Sequence, residues 1–310
     1  MYNSRKIAVV VPAYNEELLI SMTLQSIPDY IDKIYVVDDG SLDNTYKIIK
    51  DFSTADERFI PIQHEKNKGV GAAIISGYLQ SVADNIDITV VMAGDAQMDP
   101  KYIPELINPI IENKADYTKG NRLLRTSHMK GMSPFRKLGN SILTLLTKIS
   151  SGYYDIMDPQ NGYTAISRQA IQTIDAESIY PKYGYCNDML TKLNVCNMRV
   201  VDISIPAKYG LEKSKIKYGR YIVKVSWLLF NNFLYRLKMK YIYHGLSPIP
   251  FLFVIGFFLL PIGLLSFVIQ NNYLSPTMSL PMIIIGFNSI LVATVLDINN
   301  CRYNSSRRIK

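Results

Sequence analysis

The chain has 310 residues, 48% of them hydrophobic, and a formal net charge of +8, enough length and apolar content for one large core and an appendage. From residue 1 to 207 acids slightly outnumber bases, whereas 208–240 holds nine Lys or Arg against the single acid Glu212. The positive charge is therefore local, and the near-neutral body argues against nucleic acid as a partner. Cys186, Cys196 and Cys301 show neither metal-ligand spacing nor an even count, so free thiols in a reducing compartment are expected.

Along the chain, short β-branched runs alternate with helical patterns. Strands are predicted at 7–13, 34–37, 59–63, 88–92 and 117–119, with helices near 16–27, 43–52, 70–84 and 101–113. Four β-α units in a row predict an α/β fold with a mostly parallel sheet. A helix from about 133 to 149 and a strand over 198–205 follow. Residues 221–243 interleave aromatic and aliphatic side chains with Lys224, Arg236, Lys238 and Lys240 and read as an interfacial helix, with Trp227, Tyr221, Tyr235, Tyr241 and Tyr243 expected at headgroup level.

Between Lys240 and Asp297 there is no Asp, Glu, Lys or Arg. Residues 251–269 and 279–296 are each close to the length that crosses about 30 Å of hydrocarbon, and Asn271, Asn272 and Pro276 mark the turn between them. The alternative is a buried helical hairpin. Basic residues lie outside both spans, including Arg302, Arg307, Arg308 and Lys310, so both termini are expected on the cytoplasmic side. The N-terminal run, with Arg5 and Lys6 before a short stretch ending at Pro12, lacks the apolar length of a signal peptide, which again places the large domain in the cytosol. Gly256, Gly263 and Gly286 offer small-residue faces for self-association. The resulting division is 1–219 catalytic, 220–245 interfacial and 246–310 two spans with a basic tail.

In a mostly parallel sheet the functional groups gather beyond the carboxyl ends of the strands. Here those ends read Pro12-Ala13-Tyr14-Asn15-Glu16, Asp38-Asp39-Gly40-Ser41, Gly94-Asp95-Ala96-Gln97 and Gly120-Asn121-Arg122. Asp95 and Gln97 supply two oxygen donors suited to Mg²⁺ or Mn²⁺, although an ordinary turn fits the same residues. Asp99 before Pro100 reads as a helix N-cap. Asp38 and Asp39 fit either a turn or a binding corner. Asn67-Lys68-Gly69-Val70-Gly71 follows strand three and lacks a third glycine, which argues against a dinucleotide fingerprint.

The order of these motifs resembles that of family 2 glycosyltransferases with the GT-A fold. The likeness rests on Val11-Pro12-Ala13-Tyr14-Asn15-Glu16-Glu17, Val37-Asp38-Asp39-Gly40-Ser41, Asn67 with Gly69 and Gly71, and Asp95-Ala96-Gln97-Met98-Asp99-Pro100. It continues through Lys119-Gly120-Asn121-Arg122, Asp158-Pro159-Gln160-Asn161-Gly162-Tyr163 and Glu212-Lys213-Ser214-Lys215. These later motifs and the two spans are similar to polyprenyl-phosphate glycosyltransferases of the dolichyl-phosphate mannose, glucose or N-acetylglucosamine synthase type.

The resemblance implies a Rossmann-like catalytic domain, a nucleotide-sugar donor and a polyprenyl-phosphate acceptor at the membrane. It implies that Pro12, Tyr14, Asn15, Glu16, Asp39, Lys68, Gly94, Asp95 and Lys215 bind the donor, that Asp95 and Gln97 hold the metal, and that Arg122, Arg136 and Asn140 face the acceptor phosphate. Asp95, Gln97, Arg122 and Asp188 are the expected catalytic group. One departure stands out, because the first acidic place of the usual Asp-x-Asp loop is Ala93 here. Asp188 reads as a helix cap, a donor contact or a base carboxylate, and the last would direct transfer to a sugar hydroxyl in polysaccharide or glycolipid synthesis instead.

Overall fold

The computed structural model describes residues 1–123, 134–206, 218–243, 245–269 and 276–307. Two compact units divide the chain, Met1–Phe230 and Asn231–Lys310.

The first unit is built on a seven-stranded sheet in the order β3-β2-β1-β4-β6-β5-β7. Its strands are β1 (Ile7–Ala13), β2 (Lys33–Asp38), β3 (Phe59–Gln63), β4 (Ile88–Val91), β5 (Tyr117–Asn121), β6 (Thr164–Ser167) and β7 (Val200–Ser204). All seven residues of β1 are buried, as expected of a central parallel strand covered on both faces. The helices are α1 (Ile20–Gln25), α2 (Thr45–Ala55), α3 (Val70–Ala83), α4 (Ile103–Ile111), α5 (Pro134–Ser151), α6 (Arg168–Thr173) and α7 (Tyr185–Val195). Two apolar clusters fill the layers, one around Val10, Tyr78 and Met189 and the other around Val9, Ile34 and Leu106.

The predicted strands all form, within one or two residues at their ends. Strand β6 has no counterpart in the sequence reading. Among the described strands it alone runs antiparallel, pairing with β4 and β5, and four residues beginning with Thr-Ala carry too little periodicity to announce it. Its insertion keeps β5 and β7 parallel to β1 through β4. The carboxyl ends of six strands therefore lie at one edge.

Helix α8 (Tyr218–Lys238) begins in the first unit and ends in the second, where it passes into a π-helical turn (Met239–Tyr243). Helices α9 (Ile249–Ile269) and α10 (Pro276–Arg307) follow. They contain two segments long and apolar enough to cross a membrane, Ile249–Val268 and Met278–Cys301, with mean hydropathies of 2.6 and 2.0. Phe258, Leu265, Val268, Ile284 and Phe287 are exposed, which does not fit the buried-hairpin alternative.

One expectation changes here, and two of the small residues have a role within the chain. Gly256 and Gly286 serve the packing of α9 on α10: a Cβ at Gly256 would lie 2.4 Å from Ile290 Cγ1, and one at Gly286 would lie 2.6 Å from the Leu260 nitrogen. These small residues thus work within the chain. Tyr241, placed at headgroup level by composition, is 2% exposed and donates its hydroxyl to Asp297. The same carboxylate meets the Arg236 guanidinium at 2.7 and 2.9 Å. A charged pair buried this completely requires its partners in place.

Candidate active site

The first corner of the site is where β1, β2 and β3 end. Asn15, left-handed at φ 53°, receives a backbone N–H from Leu42 on its side-chain oxygen at 2.8 Å, while its own N–H reaches Ser41 Oγ at 2.9 Å. Glu16 N–H donates to Thr45 Oγ1 at 2.8 Å. The Pro12–Glu16 turn is thereby pinned to the start of α2. Tyr14 stays exposed and Pro12 is buried.

Asp39 is 2% exposed. Its Oδ1 accepts from Lys68 N–H at 2.9 Å and lies 2.7 Å from His64 Nδ1, and its Oδ2 accepts from Gly69 N–H at 2.7 Å. A carboxylate only accepts, so the His64 proton sits on Nδ1. Three of about four acceptor positions are filled, leaving one on Oδ2. Two glycines make the corner possible. A Cβ on Gly40 (φ +73°) would fall 2.8 Å from the Lys66 carbonyl carbon, and one on Gly69 (φ +106°) would fall 2.5 Å from Pro181 O. The Lys68 side chain is exposed.

The second corner follows β4. Gly94 N–H reaches Pro12 O at 3.2 Å, which ties this loop to the end of β1. Ala96 is held left-handed at φ 57°, with its N–H on Thr23 Oγ1 at 3.0 Å. A non-glycine in that region is uncommon and marks a constrained loop. Asp95 Oδ1 accepts from Gln97 N–H at 3.0 Å, so the turn reading is correct for one carboxylate oxygen and leaves Oδ2 for other work. Asp99 caps the 3₁₀ turn Pro100–Tyr102 by accepting from Lys101 N–H, as expected of Asp before Pro.

The third corner is Arg122 at the end of β5. Its Nε and NH2 bond Asp158 Oδ2 and Oδ1 at 2.8 and 3.1 Å, and its backbone N–H adds a third bond to Oδ2 at 3.1 Å. Asn161 donates to Gly120 O at 2.9 Å and receives the buried Lys119 ammonium on its carbonyl. Tyr163 OH donates to Asp99 O at 2.9 Å. The 158–163 segment therefore stitches the arginine corner to the Asp95 loop. Behind it, Asp202 on β7 accepts from Met157 N–H at 2.8 Å and from Asn121 Nδ2. Burial holds the Asp202 carboxyl above its ordinary range.

Asp188 stands in the first turn of α7, not at its cap, which is Gly184. It is 5% exposed and accepts from Tyr180 N–H at 2.7 Å. The adjacent Pro181 O accepts from Ala72 N–H at 3.1 Å, so Asp188 braces the segment that lies on the Gly69 turn below Asp39.

Arg136 and Asn140 lie on α5, and their side chains fall outside the described residues, as do Ser214 and Lys215 altogether. His64, Ser76, Thr45 and Asp202 were not singled out in the sequence. His64 had a usable signal, since it directly follows β3 at the carboxyl edge. A cavity of about 210 Å³ lined by Arg5, Asp87, Asp116 and Arg168 lies at the opposite edge, where Arg168 pairs with Asp87 and Arg199 with Asp116.

The description Glycosyl transferase family 2 matches residues 8–175, more than half the chain and all three corners. The chain belongs to this glycosyltransferase family. A dolichyl-phosphate N-acetylglucosaminyltransferase of Methanococcus voltae that uses UDP-N-acetylglucosamine is 33% identical over 246 residues, covering 72% of this chain and 98% of the relative. An undecaprenyl-phosphate mannosyltransferase of Micrococcus luteus is 27% identical over 219 residues, covering 69% and 88%. Among solved structures, glucosyl-3-phosphoglycerate synthase of Mycobacterium tuberculosis, crystallised with Mn²⁺ and UDP, superposes with a TM-score of 0.55 at 20% identity, over 75% of this chain and 80% of the other. That likeness concerns the GT-A fold alone.

Proposed function

We propose that this glycosyltransferase transfers a sugar from a nucleotide-sugar, a UDP-sugar in preference to a GDP-sugar, to a dolichyl or undecaprenyl phosphate at the cytoplasmic membrane face, with inversion at the anomeric carbon. The observation that carries the reading is the similarity to the Methanococcus voltae enzyme over nearly its whole length. The three corners supply matching chemistry. We assign 1–219 to catalysis, 220–245 to the interface and 246–310 to the membrane.

In this reading the Pro12–Glu16 turn, Asp39 and Lys68 take the nucleotide, and Gly94, where a Cβ would lie 3.0 Å from Ile20 Cδ1, brings the Asp95 loop close beside them. Asp95 and Gln97 fit a hard divalent cation, because they are oxygen donors on a constrained loop and the diphosphate and water complete such a shell. Bound Mg²⁺ or Mn²⁺ would supply charge stabilisation for the departing diphosphate. Arg122 docks the acceptor phosphate, with Asp158 fixing its plane.

A phosphate oxygen of the lipid forms the new bond to C1, the C1–O bond to the diphosphate breaks, and the nucleoside diphosphate leaves with the electron pair. The acceptor is already anionic near pH 7, so no base is needed. The Tyr180 N–H bond to Asp188 accords with a bracing role for that carboxylate.

Helix α5 supports a membrane-borne acceptor. Ile142, Leu145, Leu146 and Ile149 are exposed, whereas Thr144, Thr147, Ser150 and Ser151 are buried. Thr147 Oγ1 bonds Asn187 Oδ1 at 3.2 Å. These four hydroxyl residues face the protein and the four apolar ones face outward, the reverse of a water-facing helix and an arrangement suited to lipid.

The test is transfer of radiolabelled sugar from UDP- and GDP-sugars to polyprenyl phosphate in detergent, with Mn²⁺ or Mg²⁺ against chelator, for wild type and Asp95→Ala. Metal-dependent, acid-labile lipid product that is lost in the variant supports the reading. Transfer to a sugar hydroxyl, with none to lipid phosphate, would move the assignment to glycolipid or polysaccharide synthesis.

A further inference from the structure

His64 is 6% exposed and sits at the carboxyl edge of the sheet, immediately after β3. Its two ring nitrogens are both engaged. Nδ1 lies 2.7 Å from Asp39 Oδ1, and Nε2 lies 2.9 Å from Ser76 Oγ in α3. Its backbone N–H also bonds Asp38 O at 2.9 Å. His64 thus joins the end of β2, the end of β3 and the second turn of a helix.

Of the three donors on the Asp39 carboxylate, two are backbone amides of the Lys68–Gly69 turn and His64 is the side chain. The amides come from a turn whose Gly69 carries φ +106°, so the carboxylate and the turn depend on each other. The imidazole is also tied to Ser76 on α3, the helix that Gly69 caps, so ring, carboxylate and turn close one ring of contacts. A buried carboxylate without sufficient donors rotates or protonates to find relief.

We propose that His64 is a positioning residue for the nucleotide half of the donor, acting through Asp39, with Ser76 setting the ring. The inference rests on the reading of Asp39 as a donor contact. Through Nδ1–H the ring fixes which way the remaining Oδ2 acceptor position points, and it holds the Lys68–Gly69 turn beneath it.

The experiment is UDP binding to the full-length protein in detergent with Mn²⁺, by calorimetry, for Asp39→Asn, His64→Ala, His64→Gln, His64→Asn and Ser76→Ala, alongside donor KM and kcat and thermal melting. An asparagine amide can replace Nδ1–H, whereas a glutamine amide reaches the Nε2 position. The expected result is a Kd for UDP raised about tenfold by His64→Ala and His64→Gln, the scale of one hydrogen bond to a charged group. His64→Asn is expected to stay within about threefold of wild type, and kcat at saturating donor to move less than KM.

Should His64→Ala not fold, the contrast of Gln with Asn decides. His64→Asn binding as weakly as His64→Gln would overturn the inference, since ring volume and not the Nδ1 bond would then matter. Weaker binding in Asp39→Asn with none in His64→Gln would also overturn it while leaving the donor reading intact. Unchanged binding in Asp39→Asn would remove the donor reading of that residue and the inference with it.

Discussion

Asp158 holds Arg122 by both oxygens: the guanidinium forms a two-pronged ion pair at 2.8 and 3.1 Å, and the arginine backbone adds a third bond. The carboxylate is 2% exposed, so the arrangement fixes the plane of the arginine. Arg122→Lys keeps the charge but loses the planar fork. We expect acceptor KM to rise about tenfold or more with donor Kd unchanged, read by steady-state kinetics with polyprenyl phosphate varied. Asp158→Ala should both raise acceptor KM and destabilise the fold by about 2 kcal/mol, less than a fully buried pair because Arg122 is partly exposed.

The outward apolar face of α5 gives a prediction about where catalysis happens. Leu145→Asp together with Ile149→Asp is expected to lower transfer to long-chain polyprenyl phosphate in liposomes about tenfold or more, while UDP affinity and melting temperature hold. A short, water-soluble prenyl phosphate should be used as well by the variant as by wild type. Equal losses with both acceptors would assign α5 to the chemistry and not to the lipid surface.

In the second unit, Arg236 and Asp297 are both 0% exposed and paired, with the Tyr241 hydroxyl on the same carboxylate. Arg236→Met leaves a buried carboxylate without its counter-ion and should cost about 3–5 kcal/mol. Asp297→Leu combined with Arg236→Met should recover much of that loss, because both charges are then gone. Thermal unfolding in detergent of the two single variants and the double variant measures the coupling.

Asp202 offers a pH dependence with a definite sign. Burial raises its folded pKa above the ordinary carboxyl value, so the folded state binds the proton more tightly than the unfolded chain. Its contribution to stability is full below about pH 3.8 and is lost as pH rises through the folded value. Asp202→Asn keeps an oxygen for Met157 N–H and has no proton to lose. Its melting temperature relative to wild type should therefore rise between pH 4 and pH 7, and a flat difference across that range would contradict the sign.

The strand-end residues Asp39, Asp95, Gln97 and Arg122 were legible because a parallel β-α alternation places such groups at one edge. The division between a charge-free segment and a near-neutral body was equally plain, since bilayer length and the absence of charge are properties of composition. Strand β6 was not legible, being short and lacking a period of its own, and its antiparallel placement follows from pairing with β4 and β5.

Contacts between distant residues were settled only by tertiary structure. Sequence alone could place Asp158, His64 and Asp202 beside motifs, but that Asp158 grips Arg122 across 36 positions and His64 meets Asp39 across 25 depends on which strands lie together. Tyr241 looks like an interfacial ring in sequence. Packing reverses that, because Tyr241 finds Asp297 inside. Fold class, the edge of the site and the two apolar helices follow from local periodicity and composition, and were readable from the sequence alone. Which polar group satisfies which partner was decided by the fold, since a buried donor or acceptor must be matched wherever the chain brings it.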